Sequence, residues 1–154
     1  MREFTHSLTI EAPPAAVLDA FFEPDALAAW WRVRRSLCLA RPLGVYAVEW
    51  DPTEWEDAVL GRLGGAFRGT VIEFTPGREF FVADGFWLPP DGNPIGPMAL
   101  EATSSPHLNG AVLHVRQTGW EDSARWSRYY DVLNTGFALA LEELKRYMET
   151  RWQA

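Results

Sequence analysis

The sequence predicts an α+β domain in which one long C-terminal helix lies against a mainly antiparallel sheet. Residues 32–120 contain short runs of alternating polar and apolar residues, separated by turn-forming residues such as proline, glycine and asparagine. No stretch between these runs is long enough for the helical crossover that parallel neighbours require, so the strands should pair antiparallel. A continuous apolar stripe at helical spacing then ends the chain, and such a helix covers one face of the sheet.

The N-terminal part of the chain predicts one strand followed by two short helices. Residues 3–11 alternate between polar and apolar side chains, as a half-buried strand does. Pro14 suits the first turn of a helix, where the N–H that proline lacks is not needed. Apolar residues at helical spacing continue from there, and residues 26–31 predict a second short helix after Pro24.

Strand-like runs fill the middle of the chain. They are residues 32–39, 45–50, 67–74, 79–84, 98–103 and 111–120. Residues 51–66 are less regular: the acidic side chains at 51, 54, 56 and 57 predict a solvated loop, and the glycine-rich residues 61–65 predict a flexible hairpin. Residues 88–97 hold four prolines and two glycines, which predicts a loop and not a domain boundary. Asn109 and Gly110 predict a tight turn between the last two strands.

The C-terminal helix is the most strongly patterned segment. Its apolar positions step by four, three, four, four, three and four residues, as one face of an α-helix does. The stripe consists of Trp126, Tyr130, Leu133, Phe137, Leu141, Leu144 and Met148. Gly136 lies inside this helix, where a glycine costs ~1 kcal/mol relative to alanine. We therefore expect Gly136 to permit a close approach or a bend.

Length, charge and cysteine content limit the classes of function. A chain of 154 residues predicts a single domain over residues 1–154. Its net charge of −7 argues against a nucleic-acid partner, because phosphate binding requires a basic face. No apolar run is long enough for a membrane span, and the N-terminus lacks the apolar core of a signal peptide. Cys38 is the only cysteine and has apolar neighbours, so we expect an inert thiol and a cytoplasmic location.

The sequence contains no recognisable catalytic or metal-binding motif. The histidines His6, His107 and His114 are far apart and lack metal-ligand spacing, so we expect no metal and no cofactor. Alternation along the last strand turns His114 outward, whereas Gln117 shares its parity with the apolar Leu113 and faces inward. A buried polar side chain needs a partner, which for Gln117 is a ligand, a buried water or another side chain.

Several short motifs occur in a characteristic order along the chain. They are residues 10–17 (IEAPPAAV), Trp30-Trp31, 44–46 (GVY), 69–73 (GTVIE), 117–120 (QTGW) and 136–137 (GF). In their order and spacing over residues 4–150, they resemble the START-like (SRPBCC) superfamily. More narrowly, the chain is similar to the AHSA-like family, the homologues of the activator of heat-shock protein 90 ATPase. It departs from that family in the longer, more acidic residues 51–66, and in Gln117, where the family often has a histidine.

The resemblance implies the helix-grip fold, a curved antiparallel sheet wrapped around the long C-terminal helix, with two short helices after the first strand. It also implies an elongated cavity between sheet and helix. The 9 Phe, 8 Trp and 4 Tyr are expected to line this cavity or to pack in the core. The expected cavity residues are Trp31, Tyr46, Val48, Trp50, Phe81, Phe86, Trp87, Met98, Leu113, Val115, Gln117, Trp126, Tyr129, Tyr130, Leu133 and Phe137.

Three functions remain open on the sequence alone. The first is binding of a small hydrophobic or aromatic molecule in the cavity. The second, suggested by enzymes of the superfamily, is polyketide cyclase or dehydratase chemistry, with the acid–base candidates Glu49, Glu73, Glu101, Gln117 and Tyr130. The third is a chaperone-associated, ATPase activator-like interaction, which the family name suggests and no residue supports. Exposed edge strands of such a fold also predict a homodimer.

Overall fold

The computed structural model describes residues 2–152, so Met1 and residues 153–154 of the predicted domain lie outside the described residues. The elements, in chain order, are β1 (Phe4–Ile10), α1 (Pro14–Asp19), α2 (Pro24–Trp31), β2 (Val33–Cys38), β3 (Val45–Trp50), β4 (Glu56–Asp57), β5 (Gly61–Arg62), β6 (Ala66–Thr75), β7 (Glu79–Leu88), β8 (Ile95–His107), β9 (Gly110–Thr118) and α3 (Ala124–Trp152).

The main sheet is antiparallel throughout and curls around the long helix. Its strand order is β1-β9-β8-β7-β6-β3-β2, and β4 pairs with β5 as a separate hairpin. The short connections between successive strands permit only antiparallel neighbours. The α+β, helix-grip fold predicted from the sequence is therefore confirmed, with its two short helices placed after the first strand.

Prolines begin both short helices, as predicted. Pro14 and Pro24 occupy the first turns of α1 and α2, where a missing N–H leaves no hydrogen bond unmade. α2 ends at Trp31, because the next residue, Arg32, has a left-handed backbone (φ 57°) that stops the helix. The buried indole of Trp30 holds α2 in place by donating from Nε1 to the carbonyl oxygen of Ala20 at 2.8 Å.

The strands β7 and β8 are longer than the sequence predicts. Met98 pairs with Gly85 and Ile95 pairs with Trp87, so the loop predicted over residues 88–97 shrinks to residues 89–94. Pairing with a long partner strand outweighs the local preference of proline and glycine for turns, because strand formation depends strongly on context.

The predicted faces of β9 and α3 are confirmed where they meet the core. Leu113 and Gln117 of β9 are buried, and His114 between them is exposed. The α3 stripe is buried except for the half-buried Leu133. The close approach predicted at Gly136 is wrong: among the described residues, no atom beyond the helix's own backbone and adjoining residues lies within 4 Å of where its Cβ would be.

Candidate ligand-binding cavity

A cavity of about 250 Å³ lies between the sheet and α3. The helix contributes Tyr129, Val132, Leu133, Gly136 and Phe137, which share one face because residues three and four apart in a helix are neighbours. This cavity explains the incomplete burial of Leu133, which belongs to the apolar stripe of α3 but also borders open space. The cavity therefore interrupts the packing between helix and sheet near the middle of α3.

The sheet forms the opposite wall through one inward-facing side chain on each of four adjacent strands. Phe67 comes from β6, Trp87 from β7, Leu100 from β8 and Gln117 from β9. The rings of Trp87 and Tyr129 approach each other to 5.7 Å between centroids. Sheet and helix thus come together beside this pair, which closes one side of the cavity.

Stacked aromatic rings form another side. Trp31, at the end of α2, lies between Trp30 and Phe137, with centroid distances of 4.8 and 5.1 Å and nearly parallel planes. Trp50 of β3 meets Trp31 edge-on at 5.4 Å. Stacked and edge-on contacts of this kind are the arrangements that aromatic pairs prefer. Trp31, Trp50 and Gly136 also border a groove open to solvent, which makes this side the mouth of the cavity.

The β4–β5 hairpin and the segment after it cover the cavity. Leu60, Leu63 and Gly64 from this segment line it, and Leu60 is only 3% exposed. The indole of Trp87 donates from Nε1 to the carbonyl oxygen of Gly64 at 2.7 Å. Gly64 has a φ of +107°, a conformation that glycine adopts without the steric cost of a side chain. The segment is therefore fastened to the sheet at its cavity end.

An ion pair fastens the same hairpin to α3. Arg128 donates from Nε to Oδ1 of Asp57 at 2.7 Å, and Oδ2 of Asp57 accepts the backbone N–H groups of Val59 and Leu60 at 3.0 Å. The hydrogen bond from Arg128 is the main reason that the pKa of Asp57 falls to about 2. The carboxylate is therefore charged near neutral pH, and it pairs there with the guanidinium of Arg128.

The β4–β5 hairpin belongs to the site, although its sequence predicts only a solvated acidic loop and a flexible hairpin over residues 61–65. The solvated loop is wrong for Asp57, whose side chain is only 7% exposed. Acidic residues and glycines dominate this segment. A pair of leucines three residues apart was the one indication of burial, and it does not stand out among them. The partner of Asp57 lies 71 residues further along the chain, so no local pattern could reveal it.

One polar pair interrupts the apolar wall. Gln117 is 3% exposed, and its Nε2 donates to the hydroxyl oxygen of Tyr129 at 2.7 Å and contacts Sδ of Met98 at 3.2 Å. Its parity-based inward orientation is confirmed, and one of its partners is another side chain. Burial raises the pKa of Tyr129 well above its ordinary value, so the phenol stays neutral.

The predicted cavity residues divide into two groups. Those on the cavity wall are Trp31, Trp50, Trp87, Gln117, Tyr129, Leu133 and Phe137. Those buried in the surrounding core are Tyr46, Val48, Met98, Leu113, Val115, Trp126 and Tyr130. Tyr46 illustrates the second group, because its hydroxyl donates to the carbonyl oxygen of Phe21 at 2.8 Å. Phe81 and Phe86 are half-buried residues of β7 that alternate with buried ones, and neither lines the cavity.

The carboxylates proposed as acid–base candidates lie away from the cavity. Glu49 binds two arginines of β2, with Arg35 donating to it at 2.7 Å. Glu101 lies 3.4 Å from Arg116, and Glu73 is exposed. No carboxylate among residues 2–152 lines the cavity, whose polar side-chain groups are one amide, one phenol and tryptophan N–H groups.

Metal and thiol chemistry find little support in the part of the chain that the structure describes. No group of three or more His, Cys, Asp or Glu side chains there could hold a metal ion. Burial raises the pKa of Cys38 to about 11, and its thiol donates to the carbonyl oxygen of Ala47. None of the helices in residues 2–152 has the length and apolar character to cross a membrane.

A curled antiparallel sheet, a long helix across it and a cavity between the two define a START-like helix-grip domain. The chain belongs to the family described as activator of Hsp90 ATPase homolog 1-like protein, whose family model matches residues 11–149. A search of curated proteins finds no match.

Solved structures share this fold over almost the whole chain. Protein CV1439 from Chromobacterium violaceum is 25% identical, with a TM-score of 0.70 and coverage of 97% of this chain and 99% of that chain. Protein MLL2253 from Mesorhizobium loti is 17% identical, with a TM-score of 0.73 and coverage of 98% of each chain. The Aha1 dimer from Colwellia psychrerythraea, solved in solution, is 17% identical, with a TM-score of 0.68 and coverage of 97% of each chain.

Proposed function

We propose that this protein binds a small hydrophobic or aromatic molecule in the cavity between the sheet and α3. The observation that carries the proposal is an apolar cavity of about 250 Å³ that is bordered by stacked aromatic rings. Protein interiors are normally packed without such space. An apolar cavity of ~150 Å³ holds benzene, and typical ligand pockets begin at ~300 Å³. The volume therefore suits a molecule of one or two rings.

Membership of the family supports the same proposal. The SRPBCC fold commonly binds hydrophobic ligands, and this chain keeps the sheet and helix that enclose them. The family description also names the activation of an Hsp90 ATPase. No surface feature of residues 2–152 identifies a chaperone partner, so we do not extend that activity to this chain.

The enzyme alternative has less support. Acid–base catalysis needs a group whose pKa lies near the working pH. Among the described residues, the polar side-chain groups on the wall are the Gln117 amide, the Tyr129 hydroxyl and tryptophan N–H groups, and none of them ionises near neutral pH. The cavity favours holding a molecule over transforming it.

Location and assembly follow as secondary proposals. The single cysteine is in keeping with a reducing compartment, and we propose the cytoplasm. The Colwellia psychrerythraea relative is a dimer, and within residues 2–152 β1 and β2 are the edge strands of the sheet, each with one unpaired side. We propose that this chain also forms a homodimer, which sedimentation velocity would detect as a doubled mass.

The ligand proposal can be tested with apolar ring compounds and a variant that narrows the cavity. Naphthalene and indole should bind saturably to the wild-type protein, as measured by calorimetry. Gly136→Leu should weaken binding at least 10-fold, because a side chain at Gly136 would project toward the cavity that this residue borders. Native mass spectrometry of the freshly purified protein would in addition reveal any ligand that it retains.

Thr135→Leu is the matched control, since Thr135 is the exposed neighbour of Gly136 on the same helix and does not line the cavity. This variant should bind both compounds as the wild type does. Circular dichroism confirms that each variant is folded. Absence of binding to the wild type, or equal binding by Gly136→Leu, would contradict the proposal.

A further inference from the structure

We propose that the ligand is a neutral, hydroxyl-bearing aromatic molecule whose hydroxyl group binds the Gln117–Tyr129 pair on the cavity wall. This inference rests on the proposed function and specifies the chemical class of the ligand. Gln117 is the one amide, and Tyr129 the one phenol, among the described residues that line the cavity. Both side chains are more than nine-tenths buried.

The hydrogen-bonding capacity of this pair is only partly used. The Nε2 group of Gln117 donates to the hydroxyl oxygen of Tyr129 and contacts the sulfur of Met98. Within residues 2–152, the carbonyl oxygen Oε1 of Gln117 accepts no hydrogen bond, and the hydroxyl hydrogen of Tyr129 has no acceptor. One acceptor and one donor on residues that line the cavity therefore remain for a ligand.

A hydroxyl group matches these two free positions. It donates one hydrogen and accepts others, so it can donate to Oε1 of Gln117 and accept from the hydroxyl of Tyr129. Rotation of the Gln117 amide by half a turn would exchange its donor and acceptor. The hydroxyl then accepts from Nε2 instead, so the match survives either orientation. A pure hydrocarbon leaves both positions empty.

The surroundings disfavour a charged ligand at this depth. No Lys, Arg, His, Asp or Glu among the described residues lines the cavity, so an ionised group there would have no counter-charge. Burial already raises the pKa of Tyr129, which shows that this position penalises a negative charge. Carboxylates and amines should therefore bind less well than neutral hydroxyl compounds of the same size.

The ring system must be small. The volume of about 250 Å³ exceeds what benzene requires and is bounded by Trp87, Phe67 and Leu100 on the sheet side. Phenols and naphthols are thus the expected class. A site built to hydrogen-bond a hydroxyl discriminates strongly against the analogue that lacks it, because its own polar groups are then unpaired.

The test compares three ligands of equal ring size: 2-naphthol, naphthalene and 2-naphthoate, titrated by calorimetry at pH 7. With the wild-type protein, 2-naphthol should bind at least 10-fold more tightly than naphthalene, and 2-naphthoate should bind most weakly. Gln117→Leu should weaken the binding of 2-naphthol at least 10-fold, and it should leave the affinity for naphthalene unchanged or increase it. Tyr129→Phe is a milder change, and it should also reduce the preference for 2-naphthol over naphthalene. It provides the test if Gln117→Leu does not fold.

Thr118→Val is the control, because Thr118 is the next residue of β9, faces away from the cavity wall and also loses a hydroxyl group. It should keep the wild-type preference. Equal affinity of wild type for 2-naphthol and naphthalene would overturn this inference and leave the proposed function intact. An equal loss of both ligands in Gln117→Leu and Tyr129→Phe would also overturn it. If neither compound binds to the wild type, the proposed function itself fails.

Discussion

Arg128 in α3 donates a hydrogen bond to Asp57 in the β4–β5 hairpin at 2.7 Å, across 71 residues of sequence. The same carboxylate accepts two backbone N–H groups of its own hairpin turn, from Val59 and Leu60. One acidic side chain therefore shapes the turn and ties it to the helix that forms the opposite wall of the cavity.

Removing the cation should loosen the hairpin. Arg128→Met is expected to lower the free energy of unfolding slightly, because solvent screens a partly exposed ion pair. It should also speed amide hydrogen exchange at Val59 and Leu60, as measured by NMR. Arg146→Met removes a local, exposed ion pair to Glu143 on the same helix and serves as the control. Equal exchange rates at these amides in the two variants would contradict a local effect of the Asp57–Arg128 ion pair.

Acid should remove the contribution of Asp57. The pKa of this carboxyl falls from 3.8 to about 2 on folding, so its stabilising contribution is complete above pH ~4 and is lost as the pH falls through 2. Wild type should therefore exceed Asp57→Asn in unfolding free energy at pH 6, by about 1 kcal/mol, and the gap should close near pH 2. Urea titrations at a series of pH values measure this difference in unfolding free energy. A gap that does not change with pH would contradict the assignment.

Gly136→Ala should stabilise the protein. Alanine is favoured over glycine inside a helix by ~1 kcal/mol, and at Gly136 the added methyl group meets no atom of the described residues beyond the helix's own backbone and adjoining residues. A rise of ~2–4 °C in the melting temperature follows for a domain of this size. Gly119→Ala should do the opposite, because its φ is +106° and its Cβ would lie 2.8 Å from the carbonyl oxygen of Pro97. Scanning calorimetry measures the melting temperatures of both variants and tests these two expectations.

Tyr46 and Tyr129 should differ in what they contribute. Tyr46→Phe leaves the buried carbonyl of Phe21 without its donor and should cost about 1–2 kcal/mol of stability, with ligand affinity unchanged. Tyr129→Phe acts at the cavity and should change ligand affinity more than stability. Chemical denaturation and ligand titration of both variants give the comparison. A loss of ligand affinity in Tyr46→Phe would place that residue in the site after all.

Cys38 should react slowly with thiol reagents. Its pKa rises from 9.0 to about 11 through burial, so the reactive thiolate is about 100-fold scarcer at pH 8 than in the unfolded chain. Labelling with a neutral disulfide reagent should therefore be slow in buffer and fast in denaturant, and its rate should rise with pH up to about 11. Labelling as fast in buffer as in denaturant would show that the thiol is more accessible than its position on β2 implies.

Local patterns in the sequence determined the elements that surround the cavity. The three- and four-residue steps from Trp126 to Met148 specify one buried face of α3, and they do so regardless of what covers that face. The alternation along β9 likewise decides that Gln117 points inward and His114 outward. Periodicity of this kind is a property of the chain itself, so it can be read before folding.

Only the tertiary structure decided which inward-facing residues border open space and which are packed. Tyr46 and Trp50 lie on the same strand and look alike in sequence, yet the first is sealed in the core and the second borders the cavity. Leu60 lines the cavity, and Asp57, three residues earlier, pairs with Arg128 of a helix that is distant in sequence. A cavity is the space that side chains from several elements together fail to fill, so its boundary depends on contacts between residues far apart in the chain.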